Sequence, residues 1–226
     1  MEPVPSIFRE SLAAALARLK IPTLLDQLAG MEAHFAAMID ANRTMNLTRI
    51  TDPVEAAIKH YADSLALLPW AAMVDLGEVT LLDIGTGAGF PAVPLAIMRP
   101  DWLITAIDGT RKKADFVAGV AAEIGLGNVR VEHGHSDHWR SARRYNVVTT
   151  RAVAPLGSCI RSARPYLAAD GRLVAYKTAE TDPEEMADAE QAARQCRMKL
   201  ECPYDYELEL ADERLRRTLR IAAVVD

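Results

Sequence analysis

The chain has 226 residues, of which 50% are hydrophobic and 25% are charged, and its formal net charge is −5. This balance is typical of a soluble globular protein with a sizeable core, and it excludes a disordered or fibrous chain. The acidic net charge also argues against an unselective polyanion binder, because such a protein neutralises phosphates with a basic surface.

Neither a membrane span nor a disulfide framework is expected. The longest nearly apolar stretch, 65–74, has ten residues and contains Pro69, whereas a spanning helix needs about 20. The first residues lack the basic-then-apolar order of a secretory signal. Three cysteines without a CxxC motif favour a reducing compartment. We therefore expect a cytoplasmic protein.

Positive charge is concentrated in one part of the chain. Residues 139–177 contain eight basic residues and one acidic residue, a local net charge of +7. Residues 1–80 contain ten acidic and six basic residues, a local net charge of −4. A solvated face and a nucleic-acid surface are equally good interpretations of the basic run.

The first 70 residues are predicted to be helical. Ala/Leu-rich residues 5–20 and the periodic run 23–40 form the first two helices. A third helix begins at Asp52, which can cap it, with Pro53 at the first helical position and Glu55 completing a capping box. We predict a small helical part over 1–70 and a second part over 71–226.

From residue 79 short apolar runs alternate with helical ones. Strands are predicted at 79–84, 103–107, 129–132, 146–150 and 172–177, with helices at 91–98, 112–124 and 156–166. This alternation predicts an α/β fold with a mostly parallel, doubly wound sheet. After a helix at 183–196, two strands at 204–210 and 219–225 are predicted to close the sheet as a hairpin, with 211–217 as their connection.

The first predicted strand ends in three alternating glycines, Gly85, Gly87 and Gly89. Glycine lets the backbone turn tightly and lets a ligand approach where a Cβ would collide. Asp83 places a carboxylate in this turn, where it can hold loop amides or a ligand ammonium but would repel a pyrophosphate. The loop is therefore predicted to bind a small cofactor that carries an amino-acid group.

The next strand ends at Asp108, twenty-three residues after Gly85. A carboxylate there can accept two hydrogen bonds from a ribose diol, which suits NAD or S-adenosylmethionine equally. Combined with Asp83, the pattern favours S-adenosylmethionine. A helix cap or loop carboxylate is the alternative role for Asp108.

One histidine-rich segment has the composition of a metal site. His133, His135 and His138 lie close to Asp137 in the sequence, but zinc sites usually recruit a ligand from elsewhere in the chain. No metal is expected.

An ordered set of motifs resembles a known family, the bacterial guanine-N7 methyltransferases of small-subunit ribosomal RNA (RsmG, also known as GidB). The motifs are Asn46-Leu47-Thr48, Asp52-Pro53 with Glu55, His60 with Asp63-Ser64-Leu65, the loop 83–91 with Pro94-Leu95, Lys112-Lys113 with Phe116, the run 151–156, and 171–174 with Lys177. The resemblance covers about 42–177. It implies a class I S-adenosylmethionine-dependent methyltransferase with a Rossmann-like sheet and a small N-terminal helical part. The implied reaction methylates N7 of a guanine in the 530 loop of 16S ribosomal RNA.

The resemblance also implies site residues. Cofactor contacts are implied at Gly85, Phe90, Asp108, Ser136, Asp137 and Arg151, to which the loop itself adds Asp83, Thr86, Gly87 and Gly89. RNA contacts are expected at Arg111, Lys112 and Arg143, and the family's late arginine falls on Arg217. The implied partner is 16S ribosomal RNA or the small ribosomal subunit particle, and a monomer is expected.

Guanine N7 carries an in-plane lone pair at neutral pH, so no general base is needed. Catalysis then requires only that N7, the methyl carbon and the sulfur are brought into line and that water is excluded. Arg151 and Lys177 follow strands and project toward the acceptor side, and with Asn46 and His60 they are predicted to have positioning roles. The alternatives are a paralogue with another RNA or small-molecule substrate, an NAD(P)-dependent oxidoreductase, and a cofactor-sensing RNA-binding protein without turnover.

Overall fold

A computed structural model describes residues 6–180 and 182–225 of the chain. Its N-terminal part is helical, as predicted. The helices are α1 (Ile7–Arg18), α2 (Leu25–Met45), α3 (Pro53–Ala56), a π-helical segment (Ala57–Ala62), α4 (Asp63–Leu65) and α5 (Leu67–Val74). The predicted start of the third helix is confirmed, because the Asp52 carboxylate accepts the backbone N–H of Glu55 at 2.8 Å. Pro5, the predicted first residue of the first helix, lies outside the described residues.

The remainder is a sheet of eight strands with helices on both faces. The strands are β1 (Thr80–Ile84), β2 (Leu103–Asp108), β3 (Val129–His133), β4 (Tyr145–Arg151), β5 (Leu167–Thr178), β6 (Met198–Leu200), β7 (Tyr204–Leu210) and β8 (Glu213–Val224). The helices are α6 (Ala92–Met98), α7 (Arg111–Glu123), α8 (Leu156–Ala163) with a 3₁₀ turn (Arg164–Tyr166), and α9 (Pro183–Gln195). Strands β1 to β5 are parallel in the order β3-β2-β1-β4-β5, and β8 pairs with β5 antiparallel. The predicted doubly wound α/β fold is confirmed.

The end of the chain differs from the prediction in two respects. The hairpin of β7 and β8 exists, but β8 already begins at Glu213, so the predicted connection 211–217 is wrong and only Ala211 and Asp212 separate the strands. The first half of β8 is rich in charged residues, which concealed it. The short strand β6 was not predicted, because three residues are too few to show a period.

Two apolar clusters occupy the two faces of the sheet. Leu81, Ile104 and Val147 face the N-terminal helices and share one continuous core with them. Leu82 and Val148 face the other side, where α8 and α9 pack. Because α5 covers Leu67–Val74, the helical layer extends past residue 70, and the proposed division of the chain at that residue stays a prediction.

The connection between β3 and β4 contains no helix. Residues 134–144, all of which the structure describes, form turns and extended chain. The face of β2 and β3 on the side of α8 and α9 therefore lacks a helical cover. Within 6–180 and 182–225, no helix is long and apolar enough to span a membrane.

Candidate functional site

The glycine loop is held in a fixed shape at the carboxyl end of β1. The backbone amides of Gly85 and Thr86 both donate to the carbonyl of Ile107, at 2.9 and 3.0 Å. The amides of Gly89 and Phe90 donate in turn to the carbonyl of Thr86, at 2.8 and 2.9 Å. These bonds fasten the turn to the end of β2, at the edge where open parallel sheets bind their ligands.

Glycine is required at two positions of the loop. Gly85 and Gly89 have φ of +76° and +101°, which side chains rarely adopt. A Cβ on Gly85 would lie 2.8 Å from Val153 Cγ2, and one on Gly89 would lie 2.7 Å from Val93 Cγ2. A Cβ on Gly87 would meet no atom nearer than the Gly85 carbonyl oxygen at 4.0 Å, so this part of the loop borders open space.

Asp108 joins the glycine loop to the following helix. Its Oδ2 accepts the backbone N–H of Gly87 at 2.9 Å, and its Oδ1 accepts that of Thr110 at 2.8 Å. The side chain is buried. Asp108 therefore acts as a loop carboxylate, which was the alternative role considered for it. Each of its two oxygens retains a second lone pair for a further donor.

Asp83 lies fully buried beneath the loop, on the face of the sheet that carries the N-terminal helices. Thr149, its register partner on β4, donates its hydroxyl to Oδ1 at 3.0 Å. The other oxygen, Oδ2, has no hydrogen bond of normal geometry from the described residues, although the Thr86 hydroxyl and the Ala92 backbone N–H face the carboxylate. Burial raises the pKa of Asp83 to about 7, against the opposing effect of the neighbouring Thr86 and Thr149 hydroxyls.

Phe90 is the centre of an aromatic cluster between the loop and the helices. Its ring stacks on His60 at 4.7 Å between centroids and meets Tyr61 edge-on at 5.0 Å. The guanidinium carbon of Arg151 lies 5.7 Å from the ring centroid. Because the ring is buried in this cluster and the backbone N–H already donates to Thr86, only the backbone carbonyl of Phe90 is left for the predicted cofactor contact.

His34 is a residue of this site that sequence reasoning missed. It lies on α2, fully buried, with Nε2 2.8 Å from the carbonyl oxygen of Ala88 and Nδ1 2.7 Å from the Tyr61 hydroxyl. A carbonyl only accepts, so Nε2 carries the proton and the Tyr61 hydroxyl donates to Nδ1. Burial lowers the pKa of His34 to about 4, so the neutral ring ties the helical layer directly to the glycine loop.

This contact predicts a dependence of stability on pH. The His34 pKa is about 4 in the folded protein against an ordinary value of 6.5, so its contribution is present above pH 6.5 and is lost as pH falls toward 4. Linkage gives a loss of about 2 kcal/mol by pH 5. His34→Gln keeps a donor and an acceptor without titrating, so urea unfolding should show a smaller difference between pH 7 and pH 5 than in the wild type.

The exposed His133 provides the control for this measurement. His133→Gln should retain the full wild-type difference between the two pH values. An equal difference in wild type and His34→Gln would show that His34 does not titrate as a buried neutral ring.

His60 and Asn46 occupy different environments. His60 Nε2 lies 2.9 Å from the Thr48 hydroxyl, and burial together with the positive charge of Arg151 lowers the pKa of His60 to about 3. It is a neutral stacking partner of Phe90, and its predicted positioning role stays a prediction. Asn46 is exposed and ends α2 with φ 50° and ψ 51°, a left-handed conformation that Asn tolerates.

Arg151 is largely engaged with the helical layer. Its Nε donates to Asp63 Oδ2 at 2.8 Å, and Nη2 donates to the carbonyl of Lys59. Asp63 Oδ1 accepts from the Tyr206 hydroxyl at 2.8 Å and lies 3.9 Å from Arg217 Nε. The predicted RNA contact Arg217 is thus half-buried against the same carboxylate, and no sequence signal indicates this shared partner.

Lys177 does not present a free charge. Its ammonium donates to Glu185 Oε1 at 2.7 Å and to the carbonyl of Ala154 at 2.8 Å. Glu185 neutralises the ammonium, and the positioning role of Lys177 on the acceptor side stays a prediction. Lys177 fastens the segment after β4 to α9.

Other predicted residues fall at both ends of the sheet. Ser136 and Asp137 follow β3 and lie at the same edge as the glycine loop, and Arg111 and Lys112 begin α7 after β2. Arg143 lies just before β4, at the opposite edge, so the structure does not bring it together with Arg111 and Lys112. No group of three or more His, Cys, Asp or Glu side chains in the described ranges is arranged to hold a metal ion.

Comparisons with known proteins agree on one family. Residues 27–207 match the family described as rRNA small subunit methyltransferase G (GidB). The chain is 38% identical over 181 residues to the ribosomal RNA small subunit methyltransferase G of Solibacter usitatus, covering 80% of this chain and 84% of that protein. The protein of the same name from Lactococcus lactis is 34% identical over 209 residues, covering 91% and 87%.

Solved structures resemble this one in fold. A Pyrococcus horikoshii protein, PH1948, proposed to be an RNA methyltransferase, superposes with a TM-score of 0.57 at 15% identity, covering 84% of this chain and 99% of that one. A SAM-dependent methyltransferase from Methanosarcina mazei gives a TM-score of 0.52 at 14% identity, covering 68% and 97%.

Proposed function

The chain belongs to the rRNA small subunit methyltransferase G family, and from this premise we propose that it transfers a methyl group from S-adenosylmethionine to 16S ribosomal RNA. The specific acceptor we propose is N7 of a guanine in the 530 loop. The observation that carries the proposal is the family match over residues 27–207, together with a glycine loop and a carboxylate at adjacent strand ends.

The residues at this edge fit such a cofactor. Gly87 borders open space, Asp108 retains acceptor capacity for a diol, and Asp83 has one carboxylate oxygen under the loop that receives no hydrogen bond of normal geometry from the described residues. We propose that these residues, with Gly85, Thr86, Gly89, the Phe90 backbone and Ser136-Asp137 beyond β3, hold the cofactor. S-adenosylmethionine, when bound, supplies an electrophilic methyl group on a sulfonium.

In the proposed mechanism the protein orients groups and exchanges no proton with the base. N7 of guanine has a free lone pair at neutral pH, so no side chain has to deprotonate it. His60, with a pKa of about 3, stays neutral and stacks on Phe90, which keeps the loop rigid and excludes water from beneath it. Arg151, bound to Asp63, fixes the end of β4 against the helical layer.

The partners follow from this reaction. The proposed acceptor is 16S ribosomal RNA, free or within a small-subunit particle, and the cytoplasm is the proposed location. We propose that the protein acts as a monomer.

The decisive experiment probes the modified base itself. Free 16S ribosomal RNA and small-subunit particles, both from cells lacking the gene, are each incubated with the protein and S-adenosylmethionine. N7 methylation is read by borohydride and aniline cleavage. New cleavage at the 530-loop guanine is expected. Methyl incorporation elsewhere in the RNA would indicate a paralogue with another target, and no incorporation would contradict the proposed function.

Asp108→Ala is expected to weaken binding of S-adenosylhomocysteine about 10- to 100-fold. The substitution removes the proposed diol acceptor and releases the amides of Gly87 and Thr110, and hydrogen bonds to a charged group are each worth about 1.5 to 3 kcal/mol. Calorimetric titration measures the affinity. Asp115→Ala, an exposed position on α7, is the control, and equal affinity of Asp108→Ala and wild type would refute the role.

A further inference from the structure

The uncovered face of β2 and β3 forms a concave surface, here called the open corner. It contains a cavity of about 420 Å³ whose polar lining includes Thr105, Asn128, Trp139, Arg140 and Arg143 together with Arg130 and Glu132, which form an ion pair at 2.8 Å. Register places Thr105 opposite Arg130 and Ile107 opposite Glu132, on the sheet face opposite the N-terminal helices. Thr105 and Ile107 of β2 are buried, so the exposed polar groups of the open corner come from β3 and from the loop that carries Arg140 and Arg143.

Pairing of charges separates the basic run 139–177 into two groups. Four of its eight basic residues are neutralised by carboxylates: Arg151 by Asp63, Arg161 by Asp188, Arg172 by Glu201 and Lys177 by Glu185. Three of the other four, Arg140, Arg143 and Arg144, lie within five residues and have no carboxylate partner among the described residues. The uncompensated positive charge of the run is therefore concentrated at Arg140 and Arg143, which line the open corner, and at the adjacent Arg144.

The contacts of these three arginines leave donors available. Within 6–180 and 182–225, Arg140 and Arg144 donate only to nearby backbone carbonyls, of Asp137, Trp139 and Ser141. The Arg143 guanidinium has no hydrogen bond or ion pair within the part of the chain that the structure describes. Unpaired guanidinium groups on an exposed loop are the usual means of binding phosphates.

The loop that carries them is anchored on both sides. Trp139 is buried, its indole N–H donates to Glu132 Oε2 at 3.0 Å, and its carbonyl accepts the Tyr166 hydroxyl at 2.9 Å. The same hydroxyl donates to the carbonyl of Ser136. The arginines are therefore presented from a fixed backbone, which lowers the entropy lost on binding.

We propose that the open corner is a docking surface for the phosphate backbone of the RNA substrate; this inference rests on the proposed function. The open corner lies at the start of β4, and the glycine loop lies at the edge of the sheet where β4 ends. The seven residues of β4 therefore separate the two sites by about 20 Å at 3.3 Å per residue. One strand of B-DNA carries a phosphate about every 3.4 Å, and an A-form RNA stem rises less per base pair, so the RNA must extend at least about six base pairs beyond the acceptor base to reach the arginines.

The test compares two variants with the same change in charge. Arg140, Arg143 and Arg144 are replaced by Gln in one variant, and Arg18, Lys20 and Arg43, on the helical layer of the opposite face, in the other. Affinity for a 16S ribosomal RNA fragment containing the 530 loop and its stem is measured by fluorescence anisotropy at several salt concentrations. The slope of log affinity against log salt should fall by about 2 to 3 in the first variant only.

Two further readouts keep the result interpretable. S-adenosylhomocysteine affinity should be unchanged in the open-corner variant, which verifies folding, and Arg143→Gln alone should lower the slope by about 1. RNA shortened to the loop without its stem should bind wild type and variant equally. Wild-type slope and affinity in the triple variant would overturn the proposal, whereas a wild-type protein that binds this RNA but methylates neither it nor small-subunit particles from cells lacking the gene would refute the proposed function instead.

Discussion

Asp83→Asn is expected to stabilise the free protein at pH 8 while weakening cofactor binding at least tenfold. The pKa of Asp83 is about 7 in the folded protein and about 3.8 ordinarily, so the carboxyl group favours folding below pH 3.8 and this contribution is lost as pH rises to 7. The buried amide of Asn needs no ionisation and still accepts the Thr149 hydroxyl, so it avoids that loss.

The size of this effect follows from linkage. By pH 8 the wild type has lost about 4 kcal/mol of this contribution, and by pH 5 less than half of it. The stability advantage of Asp83→Asn should therefore increase by about 2 to 3 kcal/mol between pH 5 and pH 8, measured by urea unfolding. His34 and His60 titrate equally in both proteins and cancel in the comparison.

Binding of S-adenosylhomocysteine provides the second half of the test. Loss of the negative charge beneath the loop removes the partner proposed for the ligand ammonium. Asp101→Asn is the matched control, because Asp101 is exposed and its pKa is lowered by a hydrogen bond from Arg99, so this change should not stabilise the protein. Unchanged affinity in Asp83→Asn would show that the carboxylate does not serve the cofactor.

Arg151→Met is expected to lower the free energy of unfolding by about 3 kcal/mol or more. The Arg151 and Asp63 side chains are 17% and 8% exposed, so solvent screens the pair only weakly. Removal of one partner from such a pair leaves an uncompensated buried charge, which typically costs about 3 to 5 kcal/mol. Tyr206 and the more distant Arg217 would be the remaining partners of Asp63.

A double substitution distinguishes this charge effect from lost packing. Asp63→Asn removes the stranded charge and still accepts the Tyr206 hydroxyl, so Arg151→Met/Asp63→Asn should be more stable than Arg151→Met alone. Urea unfolding of the two single variants and the double variant forms the cycle. Additive losses would mean that the two side chains do not interact energetically.

Most of the fold was predictable because its signals are local. Alternating short apolar runs and helical runs predicted the parallel sheet, the three glycines predicted the loop, and Asp52-Pro53 predicted a helix start. The first half of β8 escaped prediction because its stability comes from pairing with β7, and its residues are mostly charged. Local periodicity contains no information about such a partner.

The site was less predictable because its contacts join distant segments. His34 and Ala88 are 54 residues apart and Arg151 and Asp63 are 88 apart, and neither pair has a spacing that reveals it. The position of Arg143 was also beyond prediction. The connection 134–144 leaves β3 at the edge of the glycine loop and enters β4 at the opposite edge, so residues a few positions apart lie at different ends of the sheet. Residue type alone indicated the chemistry of these groups but not their partners.

The bond between His34 and the loop carbonyl has a genetic consequence. The shape of the glycine loop depends on a helix encoded about fifty codons upstream of it, so inactivating mutations should accumulate in two separate regions of the reading frame. A selection for cells that have lost this ribosomal modification should recover missense alleles at codons 34 and 61 as well as within the glycine codons.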